Sequence, residues 1–188
     1  MPTLYVIAGC NGAGKTTLSK NLLPGHLGVI EFVNADEIAR GLSPFNPEGV
    51  AFSAGRIMLQ RIDELIAEQK NFAIETTLST RSYAPLFKEL QKNGYQIFLL
   101  FVYMQNVNEA KRRVNQRVKE GGHNIPENVI ERRFIRGLKN LTAIYLPLAT
   151  DWLVIDNSSE SVIFVAEKKA GKIMINNFTL WDEINSYE

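Results

Sequence analysis

Residues 9–16 read GCNGAGKT, which has the residue types and the spacing of a phosphate-binding loop, Gly-x-x-x-x-Gly-Lys-[Ser/Thr]. Glycines at these positions let successive backbone N–H groups point at an anion, and a helix that follows adds its positive end. Lys15 would reach the β and γ phosphates, and the Thr16 hydroxyl would ligate Mg²⁺. Gly9, Gly12 and Gly14 have the wrong spacing for the dinucleotide pattern Gly-x-Gly-x-x-Gly. The loop therefore predicts binding of ATP or GTP.

Two short polar segments each follow an apolar run that is typical of a buried strand. Asp36, in the segment Asn34-Ala35-Asp36-Glu37, could accept a proton from a substrate hydroxyl, or it could simply cap a short helix. The second segment is Glu75-Thr76-Thr77. Its carboxylate and hydroxyls suit a polyol or a magnesium-bound water, although threonines are also ordinary strand residues. In a parallel sheet both segments would lie beyond the carboxyl ends of the strands, where ligands gather.

Between residues 111 and 139 the charge becomes one-sided, with nine Lys or Arg residues against three Glu residues. Arg112, Arg113, Arg117 and Lys119 lie on one predicted helix, and a second predicted helix after Pro126 carries Arg132, Arg133 and Arg136. A pair of helices that is joined at Gly121-Gly122 and bears arginines is typical of a lid that closes over a transferring phosphate. The alternatives are a solvated basic surface and a nucleic-acid patch. We interpret His123 as a turn residue and not as a catalyst.

The elements that would position these groups follow from hydrophobic periodicity. Apolar runs predict strands at residues 4–8, 29–33, 71–74, 95–104 and 152–155, and a β-hairpin with arms at 161–165 and 172–176. Helices are predicted at residues 17–23, where Pro24-Gly25 should end the helix, after Pro47, and at 83–92. The stripe after Pro47 comprises Val50, Ala54, Ile57, Met58, Ile62, Leu65 and Ile66. In the second basic helix, Ile130, Phe134, Leu138, Leu141 and Tyr145 share one face.

Composition describes an ordinary globular chain of 188 residues, 45% hydrophobic and 22% charged, with a net charge of +1. This balance does not indicate a dedicated nucleic-acid binder. No export signal or membrane span is evident, and we predict a cytoplasmic protein without a membrane partner. The single cysteine, Cys10, excludes an internal disulfide. It is either a redox-sensitive thiol next to Lys15 or, as we favour, a small residue that fits the loop.

The phosphate-binding loop, the two polar segments, residues 121–127, residues 132–134 and Asp156-Asn157-Ser158 together resemble the zeta toxin family, over residues 3–158. The short chain and its Gly121-Gly122-His123 segment are similar to a chromosomal branch. Members phosphorylate the 3′-hydroxyl of UDP-N-acetylglucosamine with ATP and Mg²⁺. The resemblance implies that Asp36 is the general base, that Arg117 with Arg132 or Arg133 compensates phosphate charge, and that Glu75, Thr76 and Thr77 hold the acceptor. It also implies an antitoxin partner.

We therefore predict one P-loop kinase-like domain over residues 1–188, an α/β three-layer sandwich with a lid at about 111–139. Its five-stranded, mainly parallel sheet should have the order 2-3-1-4-5, with a C-terminal β-hairpin. The predicted function is ATP-dependent transfer of a phosphoryl group to a small-molecule hydroxyl. Alternatives are a metabolite, antibiotic or polynucleotide kinase, or a regulatory ATP-binding module. The lack of an Asn-Lys-x-Asp or Asp-x-x-Gly motif argues against a switch GTPase. The residues predicted to bind the nucleotide are Gly9, Asn11, Gly12, Ala13, Gly14, Lys15, Thr16, Thr17 and Asn157.

Overall fold

A single twisted sheet organises the chain in the computed structural model, which describes residues 1–122, 124–159 and 161–187. Within those residues the sheet has seven strands in the order β2-β3-β1-β4-β5-β6-β7. The strands are β1 (Thr3–Gly9), β2 (Phe32–Val33), β3 (Phe72–Thr76), β4 (Gln96–Tyr103), β5 (Asp151–Asp156), β6 (Ile163–Lys169) and β7 (Lys172–Ile175). The first five strands are parallel and have the predicted order, and this confirms the α/β fold class.

The sheet has more strands than predicted, because the C-terminal hairpin joins it. β6 pairs antiparallel with β5, and β7 pairs antiparallel with β6. The five-stranded prediction was therefore wrong in its strand count. The hairpin itself was predicted correctly, but its local sequence does not indicate that it pairs with β5. Strand β2 is also shorter than predicted, because Gly28 has φ +64° and the Val29 N–H donates to Leu23 O instead of to a neighbouring strand.

The central strands are buried on both faces, as parallel strands between two layers of helices must be. In β1, Val6, Ile7 and Ala8 have no exposed surface. Leu4 lies opposite Phe72 of β3 on one side and opposite Ile97 of β4 on the other. This packing places the end of β1, and the loop that follows it, in the middle of the carboxyl edge of the sheet.

Helices supply the outer layers. Their bounds are α1 (Lys15–His26), α2 (Ala35–Leu42), α3 (Ala51–Ala67), α4 (Tyr83–Lys92), α5 (Val107–Lys119), α6 (Glu127–Asn140), α7 (Leu146–Leu148) and α8 (Phe178–Asn185). A 3₁₀ turn, Glu48–Val50, precedes α3, and a π-helical turn, Leu141–Tyr145, joins α6 to α7. Asn46 caps the 3₁₀ turn, because its Oδ1 accepts from the Gly49 N–H at 3.2 Å.

Helix α1 does not stop where the sequence predicted. It continues through Pro24 to His26. Proline removes one N–H donor, which would have bonded to the carbonyl of Lys20, and both Lys20 and Pro24 are exposed to solvent. In α3 the predicted stripe is buried at Ala54, Met58, Ile62 and Leu65, whereas Ile57 is 42% exposed.

The two basic helices are α5 and α6. The predicted apolar face of α6 is confirmed, because Ile130, Phe134, Leu138, Leu141 and Tyr145 are all buried. Helix α8 lies in the last part of the chain, where no element was predicted, and its Trp181 stacks on Trp152 of β5 at 5.5 Å between ring centroids. His123, in the connection between the basic helices, lies outside the described residues. Across the residues described, none of the helices has the length and apolar character that a membrane crossing requires.

Candidate active site

The loop between β1 and α1 depends on glycine for its shape. Gly12 and Gly14 have φ of +84° and +88°, in the left-handed region that other residues adopt only at a cost. A Cβ atom on Gly12 would lie 2.6 Å from the Ala110 carbonyl oxygen, and one on Gly14 would lie 2.7 Å from Asn157 Nδ2. Since α1 begins at Lys15, its unpaired N–H groups face this loop. The result is an anion site at a helix N-terminus.

Glu75 meets the two loop residues that were predicted to hold phosphate and metal. The Thr16 hydroxyl lies 2.9 Å from Glu75 Oε2 and 3.1 Å from Oε1, and Lys15 Nζ lies 3.7 Å from Oε1. Lys15 Nζ also donates to Cys10 O at 3.0 Å. Strand pairing explains the contact, because Ile7 of β1 lies opposite Glu75 of β3. A hydroxyl beside a carboxylate is an oxygen donor set of the kind that Mg²⁺ takes together with water, so these residues fit that ion.

The two threonines after Glu75 make local hydrogen bonds. Thr76 Oγ1 accepts from the Leu78 N–H at 3.1 Å, and the Thr77 hydroxyl pairs with that of Ser79 at 2.9 Å. The sequence grouped Glu75, Thr76 and Thr77 as acceptor ligands. The structure instead brings Glu75 to the phosphate loop and turns the threonine hydroxyls into the following turn. Their role toward an acceptor stays a prediction.

The carboxylate of Asp36 is not used to cap helix α2, because Asn34 makes the capping hydrogen bonds. Asn34 is the N-cap of α2, and its Oδ1 accepts from the Asp36 and Glu37 N–H groups at 2.8 and 3.4 Å. Among the residues that the structure describes, the Asp36 carboxylate has no hydrogen-bond or ion-pair partner. Asp36 is exposed and lines two adjoining cavities. The alternative that Asp36 itself is the cap is therefore wrong.

One of the two cavities that Asp36 lines, the loop cavity, has a volume of about 180 Å³ and is lined by the phosphate-binding loop. Its lining includes Asn11, Gly12, Gly14, Lys15, Thr16, Thr17, Asp36, Arg40, Glu75, Arg113 and Arg117. Six of these side chains are cationic or carry the proposed phosphate and metal contacts: Lys15, Thr16, Arg40, Glu75, Arg113 and Arg117. The loop cavity is thus suited to a polyphosphate.

The second is the outer cavity, of about 370 Å³, which lies between α2 and the start of α6. Apolar residues such as Ile125 and Val129 share its lining with Asp36, Arg40, Glu48, Arg132 and Arg133. Arg133 also reaches the loop, since its Nη1 donates to Asn11 Oδ1 at 3.2 Å. Of the two candidate lid arginines, Arg133 therefore connects the outer cavity to the phosphate loop, whereas Arg132 lines the outer cavity and is exposed.

Arg113 ties the first basic helix to the end of β5. Its Nη1 and Nη2 donate to the backbone carbonyls of Asn157 and Ser158 at 2.9 and 3.0 Å, and its Nε lies 3.0 Å from Glu109 Oε1. Hydrogen bonds from Arg112 and Arg113 lower the pKa of Glu109 to about 2. The sequence placed Arg113 in the basic cluster but could not single it out, because the contact spans distant parts of the chain.

Asn157 supports the loop. Its Nδ2 donates to the Ala13 carbonyl at 2.8 Å, so the predicted nucleotide contact of Asn157 is made, in this structure, to the loop backbone. Cys10 is 6% exposed, and burial raises the pKa of its thiol to about 11, although Lys15 acts to lower it. This geometry supports the interpretation of Cys10 as a small buried residue.

Arg40 was missed by the sequence analysis. It lines both cavities together with Asp36, four residues earlier on α2. Its helical spacing from Asp36 was a signal that could have identified it.

A five-stranded parallel core in this order, with a phosphate-binding loop after its central strand, defines the class: a nucleotide-binding P-loop protein with the architecture of small kinases. The chain belongs to the Zeta toxin family, whose model matches residues 1–169. An uncharacterized protein of Haemophilus influenzae is 30% identical over 126 residues, which are 67% of this chain and 88% of that protein.

Two solved structures share the fold. One is the AvrRxo1-ORF1:-ORF2 complex with ATP, which matches with a TM-score of 0.82 and 17% identity, over 100% of this chain and 64% of that one. The other is the PezAT chromosomal toxin–antitoxin system of Streptococcus pneumoniae, with a TM-score of 0.71 and 17% identity, over 97% of this chain and 78% of that one. The chain thus spans just under two thirds of the AvrRxo1 chain that it matches.

Proposed function

We propose that this protein is an ATP-dependent phosphotransferase that acts on the hydroxyl of a small molecule. The observation that carries the proposal is the position of Asp36, whose carboxylate lines both the loop cavity and the outer cavity. A general base must lie between the phosphate donor and the hydroxyl that receives the phosphate. Asp36 is the acidic residue that both cavities share.

The loop cavity would hold the donor. Lys15 and the N–H groups at the start of α1 would bind the phosphates of ATP, while Thr16 and Glu75 would hold Mg²⁺ directly or through its waters. The ion, when bound, neutralises charge that develops on the phosphates. Glu75 accepts from the Thr16 hydroxyl in this structure, so both residues would contribute oxygen atoms to the same Mg²⁺ site.

The outer cavity would hold the acceptor. As the acceptor oxygen bonds to the γ-phosphorus and the bond to the leaving ADP oxygen breaks, Asp36 would take the hydroxyl proton. Arg133, which bridges from the outer cavity to Asn11, and Arg117 in the loop cavity would balance the charge on the transferring group. Arg132 lines the outer cavity and would act on the acceptor side. Such positioning and charge compensation account for most of the catalysis in phosphoryl transfer.

We further propose that the acceptor is a nucleotide sugar such as UDP-N-acetylglucosamine, which the family resemblance implies, with Glu75, Thr76 and Thr77 as candidate acceptor contacts. The likeness to the PezAT toxin–antitoxin system supports an antitoxin protein as partner. The use of ATP is consistent with a cytoplasmic protein.

The test is mass spectrometry of UDP-N-acetylglucosamine after incubation with the protein, ATP and Mg²⁺. The parent should give a product heavier by one phosphoryl group. Asp36→Asn should slow its formation by about 10²–10⁴-fold, the usual contribution of a general base, with ATP binding unchanged. Lys15→Ala should instead weaken ATP binding, because it removes a charged donor.

Asp63→Asn is the matched control, since Asp63 is an exposed carboxylate on α3 away from both cavities. It should leave the rate unchanged. An Asp36→Asn variant with the parent's turnover would remove Asp36 as the base. Intact ATP binding without product from the parent would remove UDP-N-acetylglucosamine as the acceptor.

A further inference from the structure

Arg40 stands where three cavities meet. It lines the loop cavity and the outer cavity with Asp36, and it also lines a third cavity of about 340 Å³, the mouth cavity, which is formed with residues 44–48 and the glycines at 121 and 122. Asp36 and Arg40 are four residues apart on α2, so both side chains project from one face, one turn apart. A molecule bound in the outer cavity with its hydroxyl at Asp36 would therefore lie beside Arg40.

The guanidinium of Arg40 is weakly held in the present structure. Its Nη1 donates to the two carboxylate oxygens of Glu37 at 3.3 and 3.4 Å, and both side chains are 43% exposed. An exposed ion pair of this i,i+3 type contributes little to stability. A bound anion could therefore replace Glu37 at small cost.

The charges of the outer cavity point to the kind of anion. Its lining holds three guanidiniums, Arg40, Arg132 and Arg133, against two carboxylates, Asp36 and Glu48. Arg133 already donates to Asn11 of the phosphate loop, and Asp36 is assigned to the reacting hydroxyl. Arg40 and Arg132 therefore remain for the acceptor, and of these two Arg40 is the one that also lines the loop cavity beside Asp36. A guanidinium matches a carboxylate or a phosphate through two parallel hydrogen bonds.

We propose that Arg40 is a substrate-binding residue that holds an anionic group of the acceptor, a phosphate or a carboxylate, while the hydroxyl of the same molecule meets Asp36. The inference rests on the proposed phosphotransferase function. It restricts the acceptor to hydroxyl compounds whose anionic group can reach a guanidinium that projects from α2 one helical turn after Asp36.

The experiment compares the parent, Arg40→Gln and Arg40→Lys with four hydroxyl compounds: glucose, gluconate, glucose 6-phosphate and UDP-N-acetylglucosamine. Product formation with ATP and Mg²⁺ gives kcat and KM, and thermal shift with a non-hydrolysable ATP analogue gives binding without reaction. Arg56→Gln is the control, because Arg56 packs on Phe52 of α3, outside the three cavities. It should behave as the parent does.

We expect anionic compounds to be the better ligands, and Arg40→Gln to raise their KM by about 10–150-fold, the effect of losing a hydrogen bond to a charged group. The KM for ATP should change less than about twofold, and kcat less than KM. Arg40→Lys should recover part of the loss. Gluconate and glucose 6-phosphate separate a carboxylate site from a phosphate site.

Each result bears on one of the two proposals. A neutral compound as the best acceptor would support the phosphotransferase and overturn the role of Arg40. Product from none of the compounds, with ATP bound, would count against the phosphotransferase with these acceptors. In that case the thermal shifts test whether Arg40 binds an anionic group. This role is overturned if no anionic compound stabilises the parent more than it stabilises Arg40→Gln.

Discussion

Adding one methyl group at Gly12 and at Gly55 should change stability in opposite directions. Gly12 has φ +84°, and its new Cβ would lie 2.6 Å from the Ala110 carbonyl oxygen. Gly55 lies inside α3, where a new Cβ would meet nothing within 4 Å outside its own helix. The same chemical change therefore tests the shape of the phosphate-binding loop against an ordinary helical position.

The magnitudes follow from these two environments. For Gly12→Ala, the left-handed conformation costs about 1–2 kcal/mol and the forced contact about 1–3 kcal/mol, which gives a loss of about 2–5 kcal/mol. For Gly55→Ala, the better helix propensity of alanine adds about 0.5–1 kcal/mol. In a chain of this size about 1 kcal/mol moves the midpoint by about 2–4 °C, so Gly12→Ala should lower Tm by at least ~4 °C and Gly55→Ala should raise it by ~1–4 °C.

Differential scanning calorimetry with and without ATP and Mg²⁺ measures both effects. Saturating nucleotide should raise the Tm of the parent and of Gly55→Ala equally, because only the folded state binds it. It should raise the Tm of Gly12→Ala far less. A Gly12→Ala variant that unfolds within ~1 °C of the parent and keeps the full nucleotide shift would refute the close packing of the loop on Ala110.

Two further predictions concern titrating groups. The Cys10 thiol, with a pKa of about 11, should resist alkylation in the native protein at pH 8 and react once urea unfolds the chain; rapid native labelling would contradict its burial. The pKa of Glu109 is about 2 in the folded protein and about 4.3 in the unfolded chain. The ionised carboxylate of Glu109 therefore stabilises the folded state fully above pH 4.3, and this contribution is lost as the pH falls toward 2. The urea midpoint of the parent should therefore exceed that of Glu109→Gln at pH 7, and the gap should close by about pH 2, whereas a gap independent of pH would argue against the pairing with Arg112 and Arg113.

Local patterns were enough to predict much of this fold. The phosphate-binding loop is one contiguous segment, and glycines at its fixed positions indicate a backbone with positive φ. The buried face of α6 follows from helical periodicity, and α4 has the predicted bounds, 83–92, with Gly94 at φ +82° just beyond its end. The parallel order of the first five strands was also correct, since the succession of strands and helices restricts the arrangements that are available.

Contacts between distant segments could not be predicted in the same way. The meeting of Thr16 with Glu75 depends on β1 and β3 being neighbours with Ile7 opposite Glu75, which no local pattern encodes. Arg113 is one of several basic residues in the sequence, and only its contacts with residues 157 and 158 distinguish it. At Pro24 a local pattern led to a wrong prediction. Proline usually ends a helix, but α1 continues through Pro24 to a solvent-exposed end at His26.

The strand order also has a consequence for biosynthesis. β1 leaves the ribosome well before either of its partner strands, since Leu4 pairs beside Phe72 and Thr3 beside Gln96. At about 5–20 residues per second, β1 waits roughly 5–20 s for β4. During that time its apolar side chains are uncovered, and the nucleotide loop lacks the Val102 and Ala110 backbone against which its glycines pack. We therefore expect the nascent chain to form its nucleotide site only after Ala110 has been made, and β1 to be open to contact with chaperones until then.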